Sequence, residues 1–298
     1  MSHKTVLTTE AVDALKLKPN SVVVDCTIGA GGHAKEILRI LSDTGTYIGI
    51  DADSVAVKEA EHLKDQGKNI HLVCGNFRNL KSILSGLDKK PDAILADLGW
   101  RTEQFEDLKK GFSFNSDDPL LMTYGESADY TFTANDIVND WEEESIADII
   151  YGYGEERYAR KIAKAIVIAR EDKEIKTAKE LSEIVKSALP KKLQSARIHP
   201  ATKTFQALRI AVNDELGALK DLLECGPEVL NPGGRMAIIT FHSLEDRLVK
   251  QAFRRFEDQG KGTRVNKKPI TANQEELTSN PRARSAKLRI VEKNHDTH

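Results

Sequence analysis

The stretch Asp25-Cys26-Thr27-Ile28-Gly29-Ala30-Gly31-Gly32-His33 does most to limit what this chain can fold into. The β-branched run Val22-Val23-Val24 precedes it, and the helix-like Ala34-Lys35-Glu36-Ile37-Leu38-Arg39-Ile40-Leu41 follows. A buried strand therefore runs into a glycine loop and then into a helix start. Glycines in such a loop turn tightly and let the backbone approach a ligand closely. The helix start presents free N–H groups and the positive end of the dipole. The pattern predicts a crevice for a nucleotide-type cofactor.

The chain around it alternates strands and helices. Tyr47 to Asp51, Ile70 to Cys74 and Ala93 to Asp97 read as the second, third and fourth strands, separated by helical patterns over Ser54 to Lys64 and Leu80 to Leu87. That rhythm predicts an α/β fold with a parallel, doubly wound sheet. It then breaks. From about Asp107 to His199 only helical patterns occur: Ala134 to Trp141, Glu144 to Tyr151, Glu155 to Ala169 and Thr177 to Ala188. Thr202 to Leu223 reads as one long helix returning to the sheet, and Arg235 to Phe241 as a fifth strand. Ser243 is the expected N-cap of the next helix, as Thr8-Thr9-Glu10 is of a short first one. Arg264 to Ile270 and Ala286 to Val291 would close the sheet as a final pair. The expected organisation is a discontinuous core, 1–106 and 200–298, with a helical insertion over 107–199.

The 298 residues are ample for a large core, and a charged fraction of 30% with net charge −2 is ordinary for a globular protein. Three scattered cysteines show neither disulfide nor zinc-ligand spacing, which reads as a reduced compartment, the cytoplasm, and no metal site. No apolar leader and no membrane-spanning run is evident. Charge is nevertheless segregated. Glu126 to Glu156 contains no Lys or Arg, whereas Lys186 to Arg209 contains no acid, and the C-terminal part is rich in Arg and Lys. Each run taken singly is a solvated face. Two basic clusters flanking the returning half of the core suit contact with nucleic acid equally well.

The glycine loop alone leaves the cofactor open, because Gly29 to Ala34 fits G-x-G-x-x-A and Asp51 lies where a dinucleotide fold keeps its ribose-binding acid. Three features favour S-adenosylmethionine over NAD. Asp25 precedes the glycines, where a sulfonium cofactor's positive charge is balanced and a pyrophosphate is repelled. Asp51 and Asp53 offer acceptors to ribose hydroxyls. Asp97 ends the fourth strand and sets a carboxylate in the crevice at the carboxyl edge of the sheet.

Further motifs carry a resemblance. Asp97-Leu98-Gly99 with Gln104, Gly111-Phe112-Ser113-Phe114, Tyr153-Gly154-Glu155-Glu156-Arg157 and His199-Pro200-Ala201-Thr202-Lys203-Thr204-Phe205-Gln206-Ala207-Leu208-Arg209 follow in order. Phe241-His242-Ser243-Leu244-Glu245-Asp246-Arg247 and Asn280-Pro281-Arg282-Ala283-Arg284-Ser285 complete the set. Across nearly its whole length the chain resembles the bacterial small-subunit ribosomal RNA cytosine-N4 methyltransferases, the MraW or RsmH family. The resemblance implies a class I S-adenosylmethionine-dependent methyltransferase core, Rossmann-like, with an inserted all-helical domain. It also implies a decoding-region cytidine of small-subunit RNA as acceptor.

Cofactor contacts carry over onto Gly31, Gly32, His33, Asp51, Phe77, Asp97 and Gln104, to which the residue reading adds Asp25 and Gly29. Asp97, or the carbonyls of the Asp97-Leu98-Gly99 turn, is expected to accept an N4 hydrogen and orient the amine's lone pair. Trp100, Arg101, Phe114 and His242 are candidate contacts to a base splayed from its stack, and Lys203, Arg209, Arg282 and Arg284 to phosphates. Phe114 and Phe77 read equally as core aromatics, and His242 as a capping-loop residue.

Two stretches depart from the family's usual pattern. Trp100-Arg101-Thr102-Glu103 stands where a serine pair is usual, and Leu121-Met122-Thr123 where an Asp and an Arg are usual. Both fall on the acceptor side. They support the alternative of an RNA-binding assembly factor with weak or no methyl transfer.

Overall fold

The computed structural model describes residues 5–98, 109–125, 127, 130–194 and 198–295. Gly99, Trp100, Arg101 and Gln104 lie outside the described residues. The chain divides into two compact units, Met1–Arg101 with Leu216–His298, and Thr102–Glu215.

The first unit is built on a seven-stranded sheet in the order β3-β2-β1-β4-β5-β7-β6. The strands are β1 Val22–Asp25, β2 Thr46–Asp51, β3 Asn69–Cys74, β4 Ala93–Asp97, β5 Arg235–Thr240, β6 Gly262–Arg264 and β7 Lys287–Lys293. The first five are parallel, while β7 runs antiparallel to both β5 and β6. This is the Rossmann-like doubly wound arrangement. Strand order reverses between β1 and β4, so the carboxyl ends of those two strands flank the switch-point crevice.

Alternation along the strands supplies both faces. Val23, Tyr47, Leu95, Ala237, Ile239 and Leu288 join one cluster with Ile37 and Leu38 of the helix Gly32–Ile40. Val24, Ile48, Ile50, Ile94, Met236 and Ile238 join the other, with Leu80, Leu84, Leu222 and Phe253 from three helices. Strands buried on both faces read as continuous apolar runs, and these do. At about 1.5–3 kcal/mol for each fully buried large aliphatic, these two faces are the main source of the unit's stability.

The second unit is helical: Ala134–Asp140, Glu143–Gly154, Ala159–Asp172, Ala178–Ala188, Lys191–Gln194 and Thr202–Asn213. Ile137, Ile146, Ile150, Ile162, Ile166, Leu181, Val185 and Leu208 form its core. Thr133 and Thr177 open two of these helices with capping boxes closed by Asp136 and Glu180.

Several sequence expectations shift. The single helix from Thr202 to Leu223 is two, Thr202–Asn213 and Glu215–Val229, broken where Asp214 takes a left-handed φ of 46°. Asn213 stabilises the break by donating to the carbonyls of Met122 and Arg209. The helix Thr202–Asn213 accordingly belongs to the helical unit rather than to the sheet unit. The first helix, Thr8–Ala14, has Leu7 at its N-cap with no side-chain cap, so Thr8 and Thr9 do not fill that role. His242, not Ser243, caps Ser243–Asp258, in a capping box with Glu245. Ser54–Glu59 is α-helical, but the turn continues as a 3₁₀ segment, Ala60–Gln66. Among the described residues no helix is long and apolar enough to cross a membrane.

Candidate active site

The carboxyl ends of β2, β1 and β4 bring three acids to one edge of the sheet: Asp51, Asp25 and Asp97. The glycine loop leaves β1 between them. Gly29 and Gly31 take positive φ values of 48° and 74°, which a side chain disfavours, and Gly31 is the N-cap of the helix Gly32–Ile40. Gly32 is needed for a different reason. A Cβ there would overlap the Thr5 side chain, so the N-terminal segment passes directly over the helix start.

Asp51 ties this loop down. Its Oδ2 accepts the Gly29 amide at 2.9 Å and its Oδ1 the Asp53 amide at 2.9 Å. Each carboxylate oxygen carries more than one acceptor site. Asp53 is committed locally: it is buried and caps the next helix by accepting the Val55 amide.

Asp25 is 1% exposed. Its Oδ2 accepts the Tyr47 hydroxyl at 2.9 Å and its Oδ1 the Thr27 amide at 3.2 Å. Burial pushes its carboxyl above the ordinary range, against the pull of His33 and these two hydrogen bonds. Both oxygens thus serve to join β1 to β2 and to the loop. His33 is 4% exposed, and burial holds its imidazole below the usual histidine value, with Asp25 opposing. Its Nδ1 stands 3.8 Å from Asp97 Oδ2, the Val6 backbone also favours the charged ring, and among the described residues its buried Nε2 has no hydrogen-bond partner. The Asp97 amide donates to Thr27 Oγ1 at 2.7 Å, and the Leu98 amide to the Ile239 carbonyl at 3.0 Å. Phe77 opens the 3₁₀ turn after β3 and packs against the apolar cluster on that face.

A sulfonium nucleoside fits these residues. The loop has glycine backbone and a helix N-terminus, carboxylates stand at adjacent strand ends, and among the described residues a buried imidazole nitrogen lacks a partner.

A family model described as the MraW methylase family matches residues 1–294. The chain belongs to the MraW methylase family. Among curated relatives of this family, a Paenibacillus sp. (strain JDR-2) protein named ribosomal RNA small subunit methyltransferase H is 44% identical, covering 98% of this chain and 99% of its own. A protein of the same name from Clostridioides difficile (strain 630) is 41% identical over 98% of both chains, and one from Brevibacillus brevis 43% over 98% of both.

The remaining candidates of this MraW family member fall elsewhere. In the first unit, His242 is a capping residue: its Nδ1 accepts the Glu245 amide, and the buried Glu245 carboxylate accepts the amides of Phe241 and His242. The Arg282 guanidinium stands 6.0 Å from the Phe241 ring centre, and Arg284 is exposed. Lys287 and Arg289 both pair with Asp246, and Arg289 is 6% exposed, so the Arg282 to Arg289 segment is less free than its sequence suggests.

In the helical unit, Phe114 stacks on His199 with centroids 4.1 Å apart and meets Phe205 edge-on. This joins the motifs that open and close the insertion. Arg209 forms a two-pronged pair with Glu215, at 2.8 and 3.1 Å, and Tyr124 donates its hydroxyl to the same carboxylate. That geometry suits a brace in the helical fold better than a phosphate grip. Lys203 is exposed but donates to the Glu155 carbonyl at 2.9 Å. Of the two departing stretches, Trp100-Arg101-Thr102-Glu103 lies outside the described residues; in the other, Met122 and Thr123 are both 0% exposed and Leu121 is half-buried.

Sequence reading gave no role to Thr27, Tyr47 or Tyr124. Tyr47 passes for an ordinary strand aromatic, and the one available signal was that a buried tyrosine hydroxyl must find an acceptor.

Proposed function

We propose that this chain transfers a methyl group from S-adenosylmethionine to the N4 amine of a cytidine in the decoding region of small-subunit ribosomal RNA, in the cytoplasm. The observation that carries the reading is Asp97, a carboxylate at the switch point beside a glycine loop anchored by Asp51. Membership of the MraW methylase family supports the methyl-transfer chemistry, and the relatives' names support the RNA.

When bound, S-adenosylmethionine supplies an electrophilic methyl group. Gly29, Gly31 and Gly32 bring backbone close to it, Asp51 offers acceptors to its ribose, Phe77 flanks its base and the His33 ring offers a buried polar contact. Asp97 acts on the acceptor. The cytosine amine's lone pair is delocalised into the ring, so it attacks only when its hydrogens are held and the lone pair is turned out of conjugation. The Asp97 carboxylate, with the Leu98 carbonyl, accepts an N4 hydrogen and aims the nitrogen. As the N–CH3 bond forms and the S–CH3 bond breaks, rate comes from alignment and preorganised dipoles rather than from a strong base, and the surplus N4 proton then leaves to solvent by way of Asp97. The buried His33 imidazole is disfavoured as a cation, which suits a positioned polar group rather than an acid. The helical unit, with Lys203 and the exposed Lys191 and Lys192, and Arg284 of the sheet unit, contact RNA phosphates.

Asp97→Ala tests this in a methyl-transfer assay on assembled small subunits. Turnover is expected to fall by about 10²–10³-fold, the usual effect of removing a preorganised polar contact. Turnover and cofactor affinity both at the wild-type level would remove Asp97 from the mechanism.

A further inference from the structure

Three strand ends are linked by one chain of hydrogen bonds. Tyr47 of β2 donates its hydroxyl to Asp25 of β1, Asp25 accepts the Thr27 amide, and Thr27 Oγ1 accepts the amide of Asp97 on β4 at 2.7 Å. The last link is where the β1–β4 ladder runs out. Their register stops at Asp25 with Leu95, and the Cys26 amide still reaches the Leu95 carbonyl. Beyond that point β1 turns away into the glycine loop, while β4 continues through Ala96 and Asp97 on its other edge, in register with Ile238 and Ile239 of β5. Without a neighbouring strand, the Asp97 amide would have no acceptor on the β1 side. The Thr27 hydroxyl oxygen takes the place of that missing strand carbonyl.

We propose that Thr27 is a positioning residue for methyl transfer: its hydroxyl oxygen locks the Asp97-Leu98 backbone where the acceptor amine must dock. This rests on the functional reading given above for Asp97. Tyr47 and Asp25, both buried, hold Thr27 in turn. Leu98 is held from the opposite side by the Ile239 carbonyl, and Thr27 clamps Asp97 on the β1 side. Small misplacements of a reacting group are costly, about 10²-fold for about 1 Å.

The test compares Thr27→Val, which keeps the shape and loses the acceptor, with Thr27→Ser, which keeps the acceptor. Three quantities are read: kcat on assembled small subunits, the S-adenosylmethionine Kd by calorimetry, and hydrogen exchange of the Asp97 amide. Thr27→Val is expected to lower kcat about tenfold or more, with Kd within about twofold of wild type and a fast-exchanging Asp97 amide. Thr27→Ser is expected to restore both kcat and amide protection. Wild-type kcat in Thr27→Val, a serine variant as slow as the valine variant, a loss confined to Kd, or equal Asp97 protection in all three proteins would each overturn the proposal. Should the wild-type protein form no N4-methylcytidine, the functional reading fails, and amide exchange alone then decides whether Thr27 holds Asp97.

Discussion

The amide of Gly29 donates to Oδ2 of Asp51 at 2.9 Å, which fastens the loop after β1 to the end of β2. One carboxylate therefore does two jobs. It holds the glycine loop, and in the proposed function it accepts from the cofactor's ribose. Asp51→Ala removes both, and a hydrogen bond to a charged group contributes about 1.5–3 kcal/mol. Calorimetry with S-adenosylmethionine is expected to show Kd rising about 10- to 100-fold, with a smaller rise in Asp51→Asn, which retains one acceptor oxygen. Equal affinity in Asp51→Ala and wild type would contradict this.

Gly32 and Thr5 are expected to be coupled. A Cβ on Gly32 overlaps the Thr5 hydroxyl and comes 2.8 Å from the Thr5 Cβ. Gly32→Ala should therefore cost about 1–3 kcal/mol in urea unfolding, as overpacking does. Thr5→Gly in the same chain should recover part of it, giving a coupling of at least about 0.5 kcal/mol. Additive effects of the two substitutions would mean that Gly32 does not contact the N-terminal segment.

Fold and glycine loop were legible because their signals are local. Val22-Val23-Val24 before the glycines, and acids at the ends of three apolar strands, declare a doubly wound sheet and its crevice without tertiary knowledge. The closing pair was legible only in part: β7 falls where Ala286 to Val291 was expected, but β6, Gly262–Arg264, shares only Arg264 with the expected Arg264 to Ile270. What sequence did not show depends on partners far apart in the chain. Arg209 looks like a free cation in a basic run until the break at Asp214 brings Glu215 onto it. Arg289 is likewise absorbed by Asp246, 43 residues away. Thr27 sits inside the most conspicuous motif, yet its value lies in an amide 70 residues further on.

Those pairings separate the arginines by function. Arg284 is exposed, whereas Arg209 is braced on Glu215. Arg284→Ala should flatten the dependence of log K on log salt for RNA binding by about 0.7–0.9, the loss of one phosphate contact. Arg209→Ala should leave that slope unchanged and instead lower the unfolding midpoint, since it strands the Glu215 carboxylate. Binding isotherms over a salt series, with parallel denaturation curves, distinguish the two. A flattened slope in Arg209→Ala would restore it as an RNA contact.

Asp25 predicts a pH signature. Burial raises its carboxyl above the ordinary value of 3.8, so the folded state holds this proton more tightly than the unfolded chain does. Its stabilising contribution is complete below pH 3.8 and is lost as pH rises through the elevated folded value. Asp25→Asn removes that term. The stability difference, variant minus wild type, should therefore grow as pH rises from about 4 and then level off. Urea unfolding across this range checks it, and a difference independent of pH would contradict the burial argument.

Nucleoside mass spectrometry decides whether the chain makes this transfer. Assembled small subunits lacking the modification are incubated with the purified protein and S-adenosylmethionine carrying an isotopically labelled methyl group, and the RNA is then digested. Labelled N4-methylcytidine from the decoding region is expected, abolished or strongly reduced with Asp97→Ala. Label on another base or another atom of cytidine, or no label beside intact cofactor binding, would contradict it.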